Sequence, residues 1–335
     1  MPQARILLIS PSFFGYEQAI QTALGRYGIV DLFDERPGNS SLVKAAIRVG
    51  DRAVQRLTAA HFRGILKQTR GRRYTTVLIV KAELTPAWFV EELRARQPGA
   101  EFLFYAFDAI PDGSNPTRIV PLMDRAYSFD ARDVARYPGL QLKHLFYTPE
   151  FNDPPPQQRR HSLAFVGTLH SDRYAFTRAI FAGRERTFAY FYVQARWYFF
   201  FQKYITRSAR DVSWREVSFA KLPLHGVAEV FRNSEAVLDL QRSAQSGLTM
   251  RTFEVLASGA HLITANASIR DADFYDPRHI TVVEDYSTEA VRDLIDHIDA
   301  APGRPHGFTR YSLDNWVLDF VHPRRDQPMG GSSCC

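Results

Sequence analysis

Cysteine is almost missing. The 335 residues hold two, Cys334 and Cys335, side by side at the end. The body of the chain therefore offers no disulfide framework and no thiolate metal site, and a reducing cytoplasm is the expected setting. Long apolar runs are missing too, so no membrane-spanning helix is expected. Arg5-Ile6-Leu7-Leu8-Ile9-Ser10-Pro11 is too short for a signal-peptide core and reads as a buried first strand. No G-x-G-x-x-G follows it, which argues against a dinucleotide site there. Neither H-E-x-x-H nor Cys-x-x-Cys occurs. Asp271-Ala272-Asp273 has Asp-x-Asp spacing but lies in a loop, so no metal and no cofactor are expected. Acid is scarce between Lys44 and Arg73, where Asp51 is the only carboxylate.

What is present is globular and basic. Hydrophobic residues make up 45% and charged residues 23%, outside the disordered range. The length suits two domains. A formal charge of +6 favours an anionic partner such as a nucleotide, a nucleic acid or an anionic membrane. Lys44, Arg48, Arg52 and Arg56 recur at i+4, a basic stripe on a helix expected over 40–68. Such a stripe is either a solvated face or a dock for lipid head groups, worth ~1 kcal/mol per basic residue near such a surface. Aromatics stand at 13%, and ten of them fall between Thr187 and Ile205. That stretch is expected to be a helix packed on a core. Its Trp, Tyr and Arg content also suits a membrane interface.

The order of elements is α/β. Strand, helix and strand run from Arg5 to Asp34, with the helix closed by Gly28. Val77–Val80, Glu101–Asp108 and Asp124–Asp130 continue as strands. Phe151-Asn152-Asp153-Pro154-Pro155-Pro156-Gln157-Gln158-Arg159-Arg160 reads as a linker. A strand at Leu163–Gly167 then opens a second Rossmann-like unit, with further strands at 236–240, 262–264 and 280–283. Ligands are expected beyond the carboxyl ends of these strands, in a cleft between the domains.

The most informative stretch is Gln245-Ser246-Gly247-Leu248-Thr249-Met250-Arg251-Thr252-Phe253-Glu254, running on to Gly259 and an apolar strand. A polar, glycine-containing turn enters a helix. A helix N-terminus offers N–H groups and partial positive charge to a phosphate. Arg251 in the first turn can add a bidentate contact. Glu254 follows at i+3, and a carboxylate beside a phosphate is tolerable where ribose hydroxyls donate to it. The bland alternative is a surface salt bridge.

This stretch resembles the donor-site helix of GT-B glycosyltransferases, in particular the bacterial CgeB-like and polysaccharide-biosynthesis (lipopolysaccharide, capsule) enzymes. Phe165-Val166-Gly167-Thr168-Leu169-His170, Phe33-Asp34-Glu35-Arg36-Pro37-Gly38-Asn39 and Arg310-Tyr311-Ser312-Leu313-Asp314-Asn315-Trp316 fit the same group. The resemblance runs from about Ile6 to Val321. Many retaining members carry a second glutamate eight positions before the ribose glutamate; here Ser246 stands there, which tilts the expectation towards inversion.

The resemblance implies two Rossmann-like doubly wound domains facing a cleft: residues 1–153 for the acceptor, 154–311 for a nucleotide-sugar donor, a last helix at 312–322 returning to the first domain, and a disordered tail at 323–335. It implies donor contacts from Arg251, Glu254, Gly247, Leu248, Thr249, Gly167, Thr168, His170 and Arg173. Inverting transfer needs a general base, and Asp108, Glu83 and Glu17 are the carboxylates at strand or helix ends in the first domain. Apolar neighbours Phe104-Tyr105-Ala106-Phe107 single out Asp108. Expected partners are a nucleotide-sugar, a glycan or lipid-linked acceptor and the inner face of an anionic membrane, with no nucleic acid. The alternatives are a nucleotide-sugar epimerase of the same fold and a non-catalytic basic surface binder.

Overall fold

The structure, a computed structural model, describes residues 4–38, 52–239, 246–284, 287–298 and 303–321. These form two compact units. One is the chain up to His144 together with the helix Leu313–Val321; the other is Leu145–Ser312.

The first unit is a six-stranded parallel sheet. Its strands are β1 (Arg5–Ile9), β2 (Ile29–Phe33), β3 (Thr76–Val80), β4 (Glu101–Ala106), β5 (Arg125–Ser128) and β6 (Leu140–Leu142), in the order β2-β1-β3-β4-β5-β6. β3 is buried at all five positions, and β1 and β4 are buried beyond their first residue. Continuous apolar strands of this kind are what a parallel sheet covered on both faces demands. The helix Arg52–Gln68 sends Phe62, Ile65 and Leu66 into the core beside Phe89, Val90 and Leu93 of the helix Ala87–Arg96. Lys44 and Arg48 of the basic stripe lie outside the described residues.

The helix Leu313–Val321 belongs to this first unit. Trp316 is buried edge-on against Tyr105 with ring centroids 4.8 Å apart, Phe320 sits against Tyr127, and Lys143 Nζ lies 2.6 Å from Asp319.

The second unit repeats the plan with β7 (His161–Thr168), β8 (Thr187–Tyr192), β9 (Val217–Ser218), β10 (Ser234–Asp239), β11 (His261–Thr264) and β12 (Ile280–Val282), ordered β12-β11-β10-β7-β8-β9 and paired in parallel. The unit begins at Leu145, ahead of the expected boundary at 153/154. Tyr147 stacks on Phe308, its backbone N–H donates to the Tyr311 carbonyl at 3.0 Å, and Phe151 packs near Phe231. These buried aromatics commit 145–151 to the second unit before the proline run begins.

One expectation fails. Thr187–Ile205 is not one helix. Its first six residues are β8, hydrogen-bonded between β7 and β9, and helix resumes only at Arg196–Phe200, followed by a π-turn at Phe201–Ile205. Aromatic side chains suit a pleated surface and resist a helix, and here they follow that preference. In the remainder Phe199 is buried, while Trp197, Phe200, Phe201, Tyr204 and Ile205 are all exposed.

Trp316→Ala should lower the stability of the first unit by about 3–5 kcal/mol, the range for truncating a buried aromatic. A urea midpoint unchanged from the parent would mean that the last helix does not anchor there.

Candidate functional site

In the second unit the chain enters the sheet at β7, moves outward through β8 and β9, and returns to β10 on the other side of β7. The β7/β10 pair is thus the topological switch point, where the loops leaving two neighbouring strands diverge and open a crevice at their carboxyl ends. Gly167 and Thr168 end β7, and Asp239 ends β10.

Asp239 organises this place. It is almost fully buried and has three donors. Thr249 Oγ1 donates to Oδ2 at 2.9 Å, Thr252 Oγ1 to Oδ2 at 3.3 Å, and Arg251 Nη1 to Oδ1 at 3.2 Å. The strand end is therefore tied to the first turn of the helix Met250–Ala257. Thr249 is the N-cap residue, but its hydroxyl is spent on Asp239 and makes no cap bond. The first-turn N–H groups are left without a side-chain cap, an arrangement that suits an anion. Arg251 also lies over the Phe165 ring at 5.9 Å. A Cβ on Gly167 would come within 2.9 Å of Phe165 Cζ and 3.5 Å of Arg251 Nη2, so glycine is needed for this ring and guanidinium to pack there.

The entering loop is held from behind. Asn266 Nδ2 donates to the carbonyls of Ser246 and Gly247 at 3.1 and 3.2 Å, and Ser268 Oγ donates to Ser246 at 2.6 Å. Leu248 is buried, so its side chain is core and only its backbone can face a ligand. Glu254 is also nearly buried, one turn beyond Arg251. His170 immediately precedes the helix Ser171–Phe181, and Arg173 lies half-buried in its first turn, at the same carboxyl edge as Gly167.

The first unit has a polar cluster at its own switch point, between β1 and β3. Lys81, just past β3, takes a left-handed backbone (φ 71°), as does Ala82 (φ 58°). Non-glycine residues hold such values at a cost of about 1–3 kcal/mol, and they gather at functional sites. Lys81 Nζ lies 2.5 Å from Asp108 and 3.7 Å from Glu83, and 5.2 Å over the Phe13 ring. Arg36 completes the cluster, 2.8 Å from Glu83. Asp108 is not walled in by apolar groups as expected: its side chain is 53% exposed and ion-paired. The aromatics before it point into the sheet core, and Asp108 stands beyond the last strand residue. Glu17, by contrast, is not open to a substrate. It is buried and accepts from Ser12 Oγ at 2.9 Å and Phe13 N–H at 3.0 Å, so it shapes the loop after β1. Of the proposed membrane contacts, Arg56 is exposed and Arg52 opens the described helix.

Sequence reasoning missed Asp239, Asn266, Ser268, Lys81 and Glu35. The fully buried Glu35 takes Glu83 N–H at 3.2 Å and Thr85 Oγ1 at 3.1 Å. Burial, reinforced by the Glu83 carboxylate and only partly opposed by Thr85, Leu84 N–H and Arg36, pushes its carboxyl up to about 8. Among the described residues no group of three or more His, Cys, Asp or Glu side chains is placed to hold a metal ion.

The described residues have the two-domain Rossmann-like α/β fold of GT-B glycosyltransferases. The Glycosyl transferase-like family model matches residues 202–305, a span that holds Asp239, Arg251 and Glu254. Sucrose-phosphate synthase from Thermosynechococcus elongatus superposes with a TM-score of 0.56 at 13% identity, over 95% of this chain and 94% of that one. AviGT4, a glycosyltransferase involved in avilamycin A biosynthesis, gives 0.58 at 12% identity, over 95% and 96%. UDP-GlcNAc 2-epimerase from Methanocaldococcus jannaschii gives 0.53 at 9% identity, over 95% and 99%. No curated protein matches the sequence.

Two outcomes follow from this geometry. Asp239→Ala removes three charge-assisted or hydroxyl bonds from a buried acceptor and should destabilise the second unit by about 1.5–3 kcal/mol, at the lower end because Arg251 is partly solvated. A thermal midpoint equal to that of the parent would contradict its pinning role. For Glu35 the folded state favours the neutral acid, so the unfolded chain binds fewer protons between the ordinary glutamate range and about 8. Its contribution is complete at low pH and is lost as pH rises through that window. Melting temperature measured from about pH 5 to about pH 8 should therefore fall less steeply in Glu35→Gln than in the parent. Equal slopes would show that Glu35 does not titrate there.

Proposed function

We propose that the protein is a glycosyltransferase that moves a sugar from a nucleotide-sugar donor to a hydroxyl of a cell-surface polysaccharide or lipid-linked glycan. The observation that carries the reading is Arg251, fixed by buried Asp239 beside uncapped helix amides and Gly167 at the β7/β10 switch point, within the span matched by the family model. The donor diphosphate lies against Arg251 and those amides, and the ribose hydroxyls donate to Glu254. Thr168, His170 and Arg173 border the sugar. The anomeric C–O bond breaks and the nucleoside diphosphate leaves with the bonding pair. Arg251 and the helix end stabilise that charge without a metal. The acceptor oxygen forms the new C–O bond with inversion and gives its proton to Asp108, which Lys81 orients and Glu83 flanks.

The proposal includes attachment to an anionic membrane surface. Its support is the exposed Trp197, Phe200, Phe201, Tyr204 and Ile205, edged by the exposed cations Arg196 and Arg207, and the exposed Arg56. No helix among the described residues is long and apolar enough to cross a membrane.

Titration with UDP, GDP, ADP and CMP should give saturable binding of one nucleotide. Arg251→Ala should weaken it by roughly 10–100-fold, the equivalent of losing one charge-assisted bond at about 1.5–3 kcal/mol. Asp108→Asn should keep that affinity while lowering turnover ~10²–10⁴-fold. Failure of every nucleotide to bind would overturn the reading. A product that is an epimerised nucleotide-sugar with no new glycosidic bond would replace transfer by epimerisation.

A further inference from the structure

At the opposite end of the first sheet, where β3 and β4 begin, lies a cavity of about 880 Å³. It is lined by Arg63, Lys67, Arg70, Arg72, Arg73 and Arg96, with Glu92 as its one carboxylate. Two of the cations are ion-paired. Arg72 Nη1 lies 3.0 Å from Asp31, itself held by Tyr74 Oη at 2.7 Å, and Arg96 pairs with Glu92. The other four have no carboxylate partner among the described residues. Arg63 rests on the Trp88 ring, and Arg73 donates only to the Arg96 carbonyl at 3.4 Å.

Helix dipoles do not account for this charge. The helices Arg52–Gln68 and Ala87–Arg96 both end here, and each carboxyl end carries about half a negative charge. Four unpaired cations less about one charge from two helix ends leave roughly three positive charges facing one concave space. A solvated helix face would spread such charges outward. Here Arg63 and Lys67 come from a helix and Arg70 and Arg73 from the turn after it, and all four line one cavity that Glu92 and Arg96 of a second helix close.

We propose that this cavity binds a phosphate-bearing anion, with the paired Arg72 and Arg96 forming its fixed wall and Arg63, Lys67, Arg70 and Arg73 supplying the contacts. Guanidinium forks match phosphate oxygens bidentately, and a diphosphate or a phosphorylated lipid head group presents the same chemistry. The site is separate from the switch points at the carboxyl ends of both sheets and does not depend on the transferase reading.

The test is calorimetric titration of the full chain with inorganic pyrophosphate. The Arg251→Ala background weakens binding at the proposed donor helix, so a remaining tight site is not that one. Saturable binding should persist in that background. It should weaken at least tenfold when Lys67→Ala and Arg70→Ala are added, and fall as salt rises. Both side chains are exposed, so a melting temperature near that of the parent is expected and serves as the folding check. No saturable binding, or binding unchanged by the two substitutions, overturns the proposal. Flotation with phosphatidylglycerol–phosphatidylcholine vesicles then separates the sources. Vesicle binding that pyrophosphate competes away assigns the site to a lipid head group, and pyrophosphate binding without vesicle binding assigns it to a soluble anion.

Discussion

A parallel sheet covered on both faces leaves its central strands nowhere to put a polar side chain except at their ends. β3 is buried throughout, and β10 is buried from Ala236 through Asp239. Polar side chains of both units therefore gather at strand termini: Lys81 after β3, Asp108 after β4, Asp239 at the end of β10. The carboxyl edges hold the proposed chemistry. The amino edge of the first sheet holds the basic cavity. The same constraint produces all three.

Charge at these edges is held by geometry, with different consequences in the two units. Asp239 is buried and satisfied by three donors, so it acts as an internal pin that sets the direction of Arg251. Asp108 is half-exposed and shares Lys81 with Glu83, so its carboxylate faces solvent and can meet a hydroxyl. Below that pair, Glu35 stays protonated at neutral pH because burial outweighs its hydrogen bonds. A neutral acid there adds no further negative charge beside Glu83.

The aromatic stretch shows how local preference and tertiary packing divide one segment. Thr187–Tyr192 joins the sheet, where aromatic side chains fit between β7 and β9. Phe199 is buried against Trp214 and Phe219, while Trp197, Phe200, Phe201, Tyr204 and Ile205 are left outside. Five large apolar side chains exposed within nine residues exceed the scattered singles that a soluble surface normally carries.

Apolar runs, proline and glycine spacing and the turn-into-helix at Gly247–Arg251 made the α/β class, most of the strands and the helix Met250–Ala257 legible in the chain, because each depends on residues only a few positions apart. The last helix at Leu313–Val321 was legible for the same reason. The pins were not. Asp239 meets Arg251 across twelve positions, Arg36 meets Glu83 across forty-seven, and Asn266 reaches back to Ser246, so no local period announces them. The same holds for the exposure of Asp108, the burial of Glu17 and Leu248, and the convergence of six cations on one cavity. Each of these is decided by which strand ends and helix ends the sheet brings together, and that is a property of long-range pairing alone.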